Sequence, residues 1–151
     1  MKKSLLVIVV GFEGTTIAWL RGAHQHSKHF PQTGRGQLLN QIAHVLSPRQ
    51  APYLTGVVVA KDRLSFSATR SLLTTANTLA VAAQSPIVMV QRQDQQVDLA
   101  VVIQDGERVL RETPQKYLTP RYDAEPNISK PSRGLKFHEN AGGVVYDPAK
   151  R

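Results

Sequence analysis

Residues 5–10 read LLVIVV, an unbroken row of six apolar side chains rich in β-branched residues. Side chains alternate between the two faces of a strand, so a strand that is apolar at every position must be covered on both sides. A chain built around such a strand needs a sheet with packed layers above and below it. The run is far short of the ~20 residues that a membrane-spanning helix requires. Lys2 and Lys3 precede it as in a signal peptide, but Gly11, Glu13 and Gly14 break it and no convincing small-residue cleavage site follows. The expectation is a buried strand in a cytoplasmic protein, with no membrane contact.

The following segments supply the layers. Thr15 to Leu20 reads as a second strand after a Gly-Phe-Glu-Gly turn, and Ala23 to Phe30 as a third, polar, edge-like strand after Arg21-Gly22. In residues 37–46 the apolar positions Leu38, Leu39, Ile42, Val45 and Leu46 keep helical spacing, and Ser47-Pro48 ends the helix. Leu54 to Ala60 is a fourth strand. A long helix over 65–83, capped by Ser65 or Ser67, carries Leu72, Leu73, Ala76, Leu79, Ala80 and Ala83 on one stripe. Pro86 to Gln91 is a fifth strand. The order β-β-β-α-β-α-β predicts an α/β fold: a mixed five-stranded sheet covered by helices, in the actin-like or ribonuclease-H-like half-domain layout.

From residue 92 the pattern changes. Val97–Ile103 and Arg108–Arg111 flank Asp105-Gly106, which reads as a β-hairpin. Five of the nine prolines then fall in the last 38 residues, and hydrophobic periodicity is lost. The expected organisation is a domain over 1–91, a hairpin extension over 92–112, and an extended or disordered Pro-rich tail over 113–151.

Composition removes most chemistry. The 151 residues include no cysteine, so disulfides, thiolate metal sites and cysteine nucleophiles are excluded. Residues 1–90 hold nine basic and two acidic side chains, 9 − 2 = +7, and residues 91–151 hold ten and nine, 10 − 9 = +1. A sequence pI near 10.1 suits RNA, DNA or an acidic protein surface. The cations are scattered, however, and no arginine-rich helix or RNP-like motif appears. Two-metal hydrolysis needs several carboxylates at strand ends, and only Glu13 and Asp62 are available in residues 1–90. Gly14, Thr15 and Thr16 suit a phosphate turn, but Val9 and Val10 stand where an ATPase of this layout needs an acid. His24 and His26 share a strand face without a local acid, His29 lies close by, and His44 borders the apolar stripe of its helix. Ser65, Ser67 and Ser71 lack a nucleophile elbow. No catalytic residue, metal ligand or cofactor site is expected.

Residues 62–80, DRLSFSATRSLLTTANTLA, resemble the signature of the TsaB (YeaZ) family, the actin-like partner in tRNA threonylcarbamoyladenosine synthesis. Without gaps the chain keeps Ser65, Phe66, a hydroxyl at Ser67, Arg70, Ala76, Leu79 and Ala80 of that signature. Asp62, Arg63, Leu64 and Ala68 replace its glycines and proline. A strand, VVVA, precedes the signature, and Ser85-Pro86-Ile87-Val88 follows it in family order. The resemblance covers about residues 4–91. About 60 residues remain where the family has a second half, and the strand-one acid maps to Val9. A degenerate or truncated member is therefore implied.

The family protein is a non-catalytic scaffold, and the resemblance implies that helices 37–46 and 65–83 pair with a TsaD-like enzyme or a second copy. The implied interface includes Leu38, Gln41, Ala68, Arg70, Thr75, Thr78 and Ala82, with tRNA contact at most indirect. The small side chains Ala68, Thr75, Thr78 and Ala82 on the second face of the long helix point independently to close helix approach. Two alternatives stand beside this reading. One is a homodimeric interaction protein outside that pathway, and the other a basic RNA-binding module.

Overall fold

The computed structural model describes residues 2–11, 13–31, 36–91 and 98–122. Five strands form one mixed sheet: β1 (Ser4–Gly11), β2 (Gly14–Arg21), β3 (His24–Phe30), β4 (Gly56–Lys61) and β5 (Ile87–Gln91), in spatial order β3-β2-β1-β4-β5. β1 pairs antiparallel with β2, and β2 with β3, as tight hairpins require. β1 pairs parallel with β4, and β4 with β5, each crossover carrying a helix. This is the expected five-stranded α/β architecture.

The apolar run of β1 lies at the centre of the sheet and divides by parity. Leu6 and Ile8 join Ile17, Val57, Val59 and Ile87 on one face, under the helices α1 (Leu38–Ala43) and α2 (Phe66–Ala82). Val7 and Val9 join Ala18, Val58, Ala60, Val88 and Val90 on the other face. Each fully buried Leu, Ile or Val contributes roughly 1.5–3 kcal/mol relative to exposure, so the two layers account for the drive to form the sheet.

The second face is covered by a helix where a hairpin was expected. Residues Leu99–Glu112 form α3, capped by Asp98, whose Oδ1 accepts from the Ala100 N–H at 2.9 Å. Leu99, Val102, Ile103, Gly106, Val109 and Leu110 form its inner stripe. The Asp105-Gly106 pair that reads as a turn is inside this helix. Gly106 is tolerated there because the helix backbone lies directly on Val58, and Asp105 makes an i, i+3 ion pair with Arg108 at 3.5 Å. A hairpin would leave the apolar side chains of this sheet face without a helical cover.

α2 has both ends defined. The Ser65 hydroxyl accepts from the Ala68 N–H at 3.2 Å. After Ala83, Gln84 takes φ +52°, its N–H donates to the Val81 carbonyl, and the Ser85 N–H donates to Ala80. These paired bonds are the Schellman termination, here with Gln in the position glycine usually holds. α1 is regular only over six residues. Beyond it the Val45 and Leu46 N–H groups both donate to Ile42, and both side chains reach the core as expected.

The first ten residues of the expected tail are anchored to the domain at three points, although only Leu118 among them is buried. Gln115 forms an antiparallel bridge with Ile87, Leu118 is 5% exposed, and Tyr122 stacks on Phe66 at 4.1 Å between ring centroids. Asn77 holds the segment by two bonds: its Nδ2 donates to the Leu118 carbonyl and its Oδ1 accepts from the Leu118 N–H. The tail over 123–151 lies outside the described residues, as do 92–97 of the expected hairpin extension.

Candidate functional site

At about 100° per residue, α2 divides into four strips. Thr69, Leu72, Leu73, Ala76 and Ala80 face the sheet. The Phe66–Asn77 flank carries residues 113–122. The opposite flank holds Ala68, Thr75 and Leu79, all half-buried, and α1 packs on α2. The outer arc, with Arg70, Thr74, Thr78, Val81 and Ala82, is exposed.

Of the interface residues inferred from sequence, Thr78 and Ala82 lie together on the outer arc, one turn apart. The Thr78 hydroxyl donates to the Thr74 carbonyl at 2.8 Å, which leaves its methyl group as the outward surface. Arg70 is exposed on the same arc, about 120° around the axis from Ala82. Ala68 and Thr75 are half-buried on the flank, and Leu38 is half-buried against the core.

Gln41 and Leu39 exchange their expected places. Gln41 is 5% exposed and turned away from the outer surface where a partner helix would dock, whereas Leu39, assigned to the core stripe by spacing, is 57% exposed. The centre of the buried stripe lies between Ile42 and Val45, and both residues stand ~70–90° from it on opposite sides. Spacing alone cannot choose between such flanking positions, because the choice depends on what packs on each side. Val81, 65% exposed, was missed as well. Its signal was present: it stands about 130° from the stripe centre of α2. Leu39 on α1 and Val81, Thr78 and Ala82 on α2 are thus the exposed positions of the two helices that bear on docking.

On the other flank of α1 lies an open groove of about 470 Å³ lined by Phe30, Pro31, Gln37, Asn40, Gln41 and His44. The Phe30 and His44 rings stand 6.1 Å apart, tilted by 40°, and the Lys28 ammonium lies 5.3 Å from the Phe30 centroid. The Gln41 Oε1 is buried with no hydrogen-bond partner, as is the Oγ1 of Thr15, the cross-strand neighbour of Phe30.

The residues weighed for chemistry have structural surroundings. Val9 lies in the core beneath α3, and Gly14 takes φ +125°, its α-carbon pressed so closely on the Phe30 carbonyl that no side chain fits. Asp62 accepts from the Arg63 N–H, and His29 Nδ1 is 2.9 Å from the Thr16 hydroxyl, on the sheet face opposite His24 and His26. Among the described residues no three of His, Asp, Glu and Cys gather closely enough to hold a metal ion. Among the same residues no helix is long and apolar enough to cross a membrane.

No protein-family model matches the chain, and no curated protein matches it. The fold does match solved structures. YeaZ from Pseudomonas aeruginosa superimposes with a TM-score of 0.53 at 21% identity, over 74% of this chain and 49% of that one. A second structure, of an uncharacterized protein with similarity to peptidase YeaZ from Pseudomonas aeruginosa, gives 0.48 at 22% identity over the same shares. The chain spans about half the length of these structures. The mixed five-stranded sheet with its helices is the fold of YeaZ-like proteins.

Proposed function

We propose that the protein is a non-catalytic scaffold. Its α1–α2 layer docks on a TsaD-like enzyme or on a second copy of itself, and so supports threonylcarbamoyladenosine modification of tRNA. The observation that carries this reading is the outward face itself. Leu39 on α1 is an exposed large apolar side chain, and on α2 Val81 is another on the same exposed arc as the small side chains of Thr78 and Ala82, while the inner stripes of both helices pack in the core. Small residues let a partner helix approach closely, and covering the two apolar side chains removes their surface from water. The YeaZ-like fold and the ungapped 62–80 signature support the assignment to this pathway. A cytoplasmic location and a non-enzymatic role go with it.

The test is size exclusion with light scattering, on the protein alone and mixed with the TsaD-like protein of the same organism. A mixed complex that Leu39→Glu abolishes supports the scaffold role. A homodimer that ignores the TsaD-like protein, and that Leu39→Glu splits, keeps the docking face but removes the pathway. A monomer under both conditions rejects the docking face.

A further inference from the structure

The groove beside α1 is not part of the docking face. Its residues on α1 centre about 150° around the helix from Leu39, and its other wall is the end of β3. The strand register places Arg21, Trp19, Ile17 and Thr15 of β2 directly opposite His24, His26, Lys28 and Phe30 of β3, on the α1 side of the sheet. All but the last residue of β3 are exposed, and β3 is the edge strand. From Thr15 to Pro31 the hairpin carries Arg21 and Lys28 and no acidic side chain. The nearest acid in the chain is Glu13, in the β1–β2 turn.

Three features converge at the groove. Phe30 and His44 offer ring faces, and Gln37, Asn40 and Gln41 offer amides, groups that read donor and acceptor patterns on a flat heterocycle. The Gln41 Oε1 is a buried acceptor without a donor, which costs about 1–3 kcal/mol unless a donor reaches it. The Lys28 ammonium stands over Phe30, at the point where the groove meets the basic hairpin. Ring faces and amides in a groove beside cations and free of acids on the hairpin match an unpaired base attached to phosphates.

We propose that this corner binds single-stranded nucleic acid, with one base entering the groove between α1 and Phe30 and the backbone running along β3 past Lys28 and Arg21. A base amine reaching the amide wall supplies the donor that Gln41 lacks. A duplex is a poor fit, because its bases are stacked and paired. The site does not depend on the scaffold reading, since Leu39 and Val81 lie outside it.

The test is fluorescence anisotropy of a labelled single-stranded RNA of ~12 nucleotides with the full chain, alongside a duplex of equal length. Expected is preference for the single strand and, from two phosphate contacts at a slope near −0.7 each, a roughly sevenfold loss of affinity between 50 and 200 mM salt. Arg21→Glu with Lys28→Glu should abolish binding. His44→Ala should weaken it by about fivefold or more through lost stacking. Gln41→Leu should weaken it too while holding or raising Tm, because an unpaired buried amide oxygen is removed. Absence of binding at 50 mM salt overturns the proposal. So does equal binding of duplex and single strand that His44→Ala leaves unchanged, which is general attraction of a polyanion. If Gln41→Leu fails to fold, His44→Ala, at an exposed position, still decides the outcome.

Discussion

Gly106 of α3 lies directly on Val58 of β4: a methyl group at Gly106 would stand 2.4 Å from Val58 Cγ1. The same crossing recurs one turn on, where a methyl at Gly56 would stand 2.8 Å from Leu110 Cδ1. Two glycines, one on each element, set how closely α3 approaches the sheet. Gly106→Ala should therefore destabilise the protein by about 1–3 kcal/mol through overpacking, despite the ~1 kcal/mol that alanine gains in helix propensity. Urea denaturation measures this. A stabilised variant would mean that α3 does not lie on Val58.

Residues 113–122 make a matched pair of tests. Leu118 is buried against the α2 layer and tied to Asn77 by two hydrogen bonds, whereas Tyr117 next to it is exposed. Leu118→Ala should cost about 2–5 kcal/mol. Tyr117→Ala should stay within about 0.5 kcal/mol of the parent. Equal effects in thermal unfolding would show that the segment does not pack as described.

At the docking face, folding and association should separate. Leu39→Glu and Val81→Glu change exposed side chains and should leave unfolding free energy within about 0.5 kcal/mol. Either change places a charge where an apolar contact is proposed, so complex formation should fall by an order of magnitude or more. Calorimetric titration against the partner reads this, with circular dichroism as the check on folding. A variant that binds at parental affinity would move the interface elsewhere.

The start of α2 depends on one hydroxyl. Ser65→Ala removes the acceptor for the Ala68 N–H and should lower stability by about 1 kcal/mol, whereas Ser67→Ala, one residue inside the helix, should be nearly neutral. If Ser67→Ala costs more, the helix begins later than described.

Much of the fold is legible in the chain because it is written in local periodicity. LLVIVV demands a two-faced strand, and the spacing of Leu72, Leu73, Ala76 and Ala80 demands a helix with one buried stripe. The hairpin turns, the Ser65 cap and the element order through residue 91 need only neighbours in sequence. For the same reason Val81, far from that stripe, was open to recognition as surface.

Other features were settled by contacts between elements distant in sequence. Asp105-Gly106 carries the local mark of a turn, yet becomes helix because the apolar face of Val7, Val58 and Val88 needs a cover and only glycine allows the approach to Val58. Gln41 goes inside and Leu39 outside because the flanks of α1 have different surroundings, the end of β3 on one side and solvent on the other. Asn77 is an unremarkable helix residue until Leu118, 41 positions away, supplies both of its partners. Local propensity determined which segments are strands and helices through residue 91. Burial, which is a property of the assembled layers, decided α3, the anchoring of residues 113–122 through Leu118 and which side chains remain free to meet a partner.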